Sequence, residues 1–170
     1  HPGDPVRLTD RIHFDAAPAA VFAMLTDRRF QERVCTASGA TEHQVTVEER
    51  ADGGATVTTR RVLPTTGMPD FVRSFAGQRL TITQRTTWSA AAADDGRTGT
   101  TEVEIAGAPV RLSARIGLAA EGAATVEDVA GDLTASVPLL GGRIERAAEP
   151  AVRSALRIEA EVGRDWLRER

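Results

Sequence analysis

Polar side chains recur at strand positions whose neighbours two residues away are apolar. Asp10 stands between Leu8 and Ile12, His43 beside Val45 and Val47, Thr59 and Arg61 between Val57 and Leu63, and Gln84 with Thr86 between Ile82 and Trp88. Side chains two apart in a strand share a face, so these groups are expected on the buried side of a sheet. Asp10, His43 and Arg61 are the types needed for an acid, a base and an oxyanion partner in one pocket. With Gln84, the same groups suit the orientation of a bound molecule by a few hydrogen bonds in an otherwise apolar pocket. In a closed core each unpaired group costs about 1–3 kcal/mol, so a wet cavity accommodates them more easily. A one-residue bulge would turn any of them to solvent, and the sequence leaves that alternative open.

Other chemistry is sparse. The chain has no Gly-x-Ser-x-Gly elbow, no phosphate-binding Gly-Lys loop, no Gly-x-Gly-x-x-Gly fingerprint and no His-Glu-x-x-His helix. Cys35 is the only cysteine, which excludes an internal disulfide and a cysteine-rich zinc site, and it reads as a small buried hydrophobe. His1, His13 and His43 lie too far apart in the pattern to share a metal, with His13 expected at solvent. The pairs Glu48-Glu49 and Asp94-Asp95 read as solvated charges, and Gly141-Gly142-Arg143 as a hinge into a helix. No catalytic residue, metal or cofactor is therefore assigned.

In 170 residues, 21 basic side chains, all arginine, face 24 acidic ones for a net charge of -3, and a phosphate-driven nucleic-acid binder needs a clustered basic excess instead. No run of about 18 apolar residues occurs, so no transmembrane segment is expected and a cytoplasmic location is the expectation. Residues 1–5 read as a tag remnant or loose terminus, and residues 6–170 as a single domain.

The positioning elements follow from periodicity. Alternation over Val6 to Phe14 predicts a strand, and Asp15 before Ala16-Ala17-Pro18 predicts a capped helix to about Thr26. A second short helix follows over Arg28 to Ala37, ending before Gly39. Strands are expected over Thr41 to Arg50, Ala55 to Leu63, Leu80 to Trp88, Thr98 to Ile105, Val110 to Leu118 and Thr125 to Val137. Between them, Pro69 to Phe75 predicts a helical turn with Phe71 and Phe75 on one face. From Leu140 the spacing changes to three or four residues through Ile144, Ala148, Ala151, Ala155, Ile158, Val162 and Trp166, one stripe of a long helix. Arg143, Arg146, Arg153, Arg157, Glu161 and Arg164 largely avoid it, and Pro150 predicts a kink or break. The fold class is α+β: a curved seven-stranded antiparallel sheet wrapped around the terminal helix, with two short helices after the first strand.

The stretch Phe14 to Asp27 resembles the first strand and helix of the START-like, helix-grip (SRPBCC) superfamily, which includes Bet v 1 and the polyketide cyclases. More narrowly, Leu63-Pro64, Met68 to Gly77, Leu80 to Thr83 with Trp88, Gly107 to Val110 and Ser136 to Glu145 are similar to the domain of unknown function 2505 family, actinobacterial members of that superfamily. The resemblance covers most of the chain from Val6 to Leu167 and implies a cavity between sheet and terminal helix, with no assigned activity. Pro150 stands where the family leads one to expect an ordinary helix former.

Three function classes remain. The leading one is a binding module enclosing a small hydrophobic or amphipathic molecule, such as a lipid, sterol or polyketide-like compound. Its contact residues would be Phe71, Phe75, Trp88, Ile144, Ala148, Arg61, His43, Gln84 and Asp10. The alternative is a cyclase, dehydratase or hydrolase using Asp10, His43 and Arg61, and the third is a protein-interaction or structural domain with a filled interior. Met68 to Phe75 is expected to wall or gate the cavity, or else to plug one end of the core.

Overall fold

The computed structural model describes residues 5–137 and 139–170; most of the expected terminal remnant, residues 1–4, lies outside the described residues. Strand β1 (Val6–Phe14) buries Leu8, Ile12 and Phe14 and exposes Arg7, Thr9, Arg11 and His13, as its alternation dictates. Helices α1 (Pro18–Leu25) and α2 (Arg28–Ala37) start differently. Ala17 holds the position before α1 with no side-chain cap, so Asp15 does not cap it; Pro18, with its preset φ, starts the helix. Asp27 does cap α2, accepting from the Arg29 N–H at 2.8 Å and the Phe30 N–H at 3.4 Å.

The chain continues through β2 (Glu42–Glu49), β3 (Ala55–Pro64), α3 (Asp70–Ala76), β4 (Arg79–Trp88), β5 (Arg97–Ile105), β6 (Ala108–Glu121), β7 (Ala124–Ala135) and α4 (Gly141–Arg168). The seven strands form one antiparallel sheet in the order β1-β7-β6-β5-β4-β3-β2. Strand β6 overruns the expected Leu118 because its hairpin with β7 pairs out to Glu121 opposite Ala124. The β3–β4 register is continuous from Ala55 opposite Trp88 to Pro64 opposite Arg79. No slip therefore reverses the faces of Thr59, Arg61, Gln84 and Thr86.

Two core clusters join sheet and helices. One holds Phe14, Val21, Met24, Phe30, Trp88 and Ala160; the other holds Leu8, Val110, Leu112, Leu133 and Ile144. Glu145, itself buried, accepts the Ala135 N–H at 2.9 Å and so ties the start of α4 to the end of β7.

Helix α4 corrects three expectations. It runs unbroken across Pro150, so the expected break does not occur; Pro150 itself is exposed, and the carbonyl four residues earlier loses its helical donor on the watery side. Its buried face is wider than one stripe: Ala151 of the stripe faces the space between helix and sheet, and Glu145, Leu156, Ala160 and Gly163 also turn inward, since a curved sheet covers more than one row of a helix. Arg153 is half-buried and donates from Nη1 to the Thr9 carbonyl at 3.2 Å and from Nη2 to Glu149 at 3.3 Å. A long side chain with an apolar stem can lie along the helix–sheet seam while its head finds acceptors.

Candidate functional site

Between α4 and the sheet lie two adjoining chambers. The larger, about 430 Å³, is walled by Met68, Phe71 and Phe75 of the α3 segment, floored by Leu80 and Ile82, and roofed by Ile144 and Ala148. The α3 excursion is closed at its base, where Thr65 donates its N–H to the Gln78 carbonyl at 3.1 Å and its hydroxyl to the Gly77 carbonyl at 2.7 Å. None of the α3 side chains is fully buried, and Phe71 and Phe75 are half-buried.

The smaller chamber, about 140 Å³, is more polar and lies toward β1, β7 and α2. Asp10, Cys35, Thr59, Gln84, Glu127 and Glu159 line it, with Trp88 on its apolar side. Arg61 borders both chambers, as do Leu112, Val152 and Ala155. Its guanidinium donates from Nη1 to Gln84 Oε1 at 3.3 Å, and the Thr86 and Thr101 hydroxyls bond each other at 2.6 Å. Two buried atoms, Thr59 Oγ1 and Glu127 Oε1, have no hydrogen-bond partner among the described residues. A native interior pairs nearly all such atoms, so each calls for a retained proton, a water or a ligand group as its partner.

Electrostatics sharpen this end of the cavity. Burial, then the Glu159 and Asp10 carboxylates, push Glu127 well above the usual carboxyl range. Burial also raises Glu159, with Arg61 opposing. Burial lowers Arg61 somewhat, but an arginine so shifted remains charged. Burial raises the Cys35 thiol, with Arg61 opposing, which favours its protonated form.

The structure places eight of the nine expected contact residues on chamber walls: Phe71, Phe75, Ile144 and Ala148 on the larger, Asp10, Gln84 and Trp88 on the smaller, and Arg61 on both. His43 is the exception. It shares the face of Val45, but β2 is the sheet edge, and the cover there buries Val45 and leaves His43 exposed. Asp10, His43 and Arg61 therefore do not converge as an acid, base and oxyanion set. Glu127 and Glu159 are absent from the expected contact set. Parity with Val129 and Leu133 on β7 points Glu127 inward, and Glu159 lies four residues after Ala155, one turn along the cavity-facing side of α4.

No curated protein matches the sequence. Solved structures do match in fold. A Thermus thermophilus protein aligns over 93% of this chain and 97% of its own, at 15% identity and a TM-score of 0.62. A START superfamily protein from Mycobacterium smegmatis aligns over 95% and 98%, at 13% identity and a TM-score of 0.59. The Zhui aromatase/cyclase of Streptomyces sp. R1128 aligns over 94% and 91%, at 12% identity and a TM-score of 0.62. At such identities the likeness is one of fold. The family model described as "Protein of unknown function (DUF2505)" matches residues 9–167, and the chain, whose seven antiparallel strands grip a long terminal helix as in the START superfamily neighbour, belongs to the DUF2505 family.

Proposed function

We propose that the chain is a binding module that encloses one small amphipathic molecule, its apolar body in the larger chamber and its polar end in the smaller. The observation that carries this reading is the shared border at Arg61: an apolar chamber adjoins one holding two buried, unpartnered polar atoms. Specific pockets have this composition, mostly apolar with a few polar groups that fix orientation. The START superfamily neighbour supports it by fold, and analogy of fold alone would be weak. The enzyme reading has less support, since its proposed base, His43, lies at solvent.

Native mass spectrometry of protein purified from its own host, followed by solvent extraction, tests this directly. A bound small molecule is expected. Ala148→Phe, which fills the larger chamber, should abolish both the bound species and the uptake of an apolar fluorophore such as N-phenyl-1-naphthylamine. Absence of a bound species together with no uptake by the parent would overturn the reading, and a filled interior would then favour a structural role.

A further inference from the structure

Three carboxyl groups converge at one end of the smaller chamber. Glu127 on β7 is only 4% exposed, and its Oε1 is buried with no partner among the described residues. Asp10 lies beside it on the neighbouring strand β1, where Ile12 is the residue opposite Glu127. Glu159 reaches the same space from the α4 roof. Arg61, on β3, is near enough to Glu159 to oppose its upward shift, but its guanidinium bonds Gln84 and forms no ion pair with any of the three carboxyls among the described residues. Arg153, the other cation lining this chamber, already bonds the Thr9 carbonyl and Glu149.

A buried carboxyl without a partner must either keep a proton or meet a donor that carries the opposite charge. A hydroxyl offers one donor and no charge, whereas an ammonium offers three donors and a charge, enough to serve carboxyls from floor and roof at once. The thiol of Cys35 and the neutral amide of Gln84 supply no such charge.

We propose that the polar chamber takes the protonated amine of a basic amphiphile, held between Glu127 on the sheet and Glu159 on the helix. The inference rests on the cavity reading above and names its ligand class. At about 140 Å³ the polar chamber is the smaller of the two, suited to a compact head group rather than to the apolar body. The apolar remainder passes Arg61 into the larger chamber, which excludes a polyamine, whose second charge would lie among Phe71, Phe75 and Ile144.

Proton linkage gives the proposal its signature. The groups facing Glu127 are Asp10 from β1, Glu159 and Arg153 from α4, Arg61 from β3 and Cys35 from α2. Arginine side chains do not deprotonate in proteins, and burial favours the neutral thiol of Cys35. In the empty cavity burial favours the proton on Glu127, and an arriving ammonium displaces it. Amine affinity therefore rises with pH while the amine itself stays protonated.

The test compares dodecylamine, dodecanol and dodecanoate, each below its micelle concentration, by displacement of N-phenyl-1-naphthylamine at about pH 6 and about pH 8. Dodecylamine is expected to bind at least about tenfold tighter than dodecanol, with the gap widening at the higher pH. Glu127→Gln should collapse that preference, and Asp128→Asn, on the exposed face next door, should retain it. Tighter binding of dodecanoate, equal binding of amine and alcohol, or a preference that survives Glu127→Gln would overturn the amine assignment while leaving the cavity reading standing. Failure of all three probes to displace the fluorophore would also overturn it, and failure of the parent to take up the fluorophore at all would remove the cavity reading with it.

Discussion

Glu127 titrates in the folded chain above the ordinary carboxyl value of about 4.3, because burial removes the water that would solvate its charge and Glu159 and Asp10 add like charge. Between the unfolded and folded values the native state holds a proton that the unfolded chain has lost, so stability falls as pH rises through that window. Above the window the loss is complete. Glu127→Gln, which keeps the shape and removes the titration, should melt higher than the parent at neutral pH and flatten the acid-to-neutral part of the stability curve. Thermal melts from about pH 4 to about pH 8 measure this. A variant less stable than the parent at neutral pH would mean that the carboxylate has a partner in the empty protein.

At the scale of elements, the terminal helix is held by close approach at one end and leaves a cavity at the other. A Cβ added at Gly163 would stand 2.8 Å from Phe14 Cε1 and 3.1 Å from Met24 Cε. Met24 can shift its flexible end, but Phe14 is fully buried and cannot. Gly163→Ala should therefore destabilise by about 1–3 kcal/mol, the usual cost of overpacking, and chemical denaturation measures it. The α3 segment is the opposite case. Phe71 and Phe75 are half-buried on a short excursion closed at its base by Thr65, so each truncation to Ala should cost less than the roughly 3–5 kcal/mol of a fully buried Phe. If α3 is the gate, both variants should change the rate of fluorophore uptake in stopped-flow mixing. A large melting-temperature drop with an unchanged rate would instead make the two residues a plug.

At the scale of the whole molecule, sheet and terminal helix share both core clusters, with Leu8 and Ile144 in one and Phe14 and Ala160 in the other. Neither half of α4 has a core of its own apart from the sheet. We therefore expect residues 6–170 to unfold as one cooperative unit, with circular dichroism at 222 nm and tryptophan fluorescence giving the same midpoint. Separate midpoints for the Trp88 and Trp166 environments would divide the chain into two folding units.

Much of this architecture was readable from local pattern. The alternation of Leu8, Ile12 and Phe14 defines β1, and the change to a three-to-four spacing after Leu140 defines α4, because contacts with near neighbours set both periods. The same parity placed Asp10, Arg61 and Gln84 on the helix side of the sheet. Parity does not say what covers a face. His43 keeps the parity of Val45 yet lies at solvent, because cover at an edge strand depends on where α2 docks. The meeting of Glu127 and Glu159 likewise depends on how the sheet curves beneath α4, bringing together residues 32 positions apart. Pro150 was legible as a helix breaker by its ring, but tertiary packing carries the helix unbroken through it, with the missing bond turned to water. Face and period are local properties of a chain; enclosure is set by long-range contacts, and the cavity exists only once those contacts form.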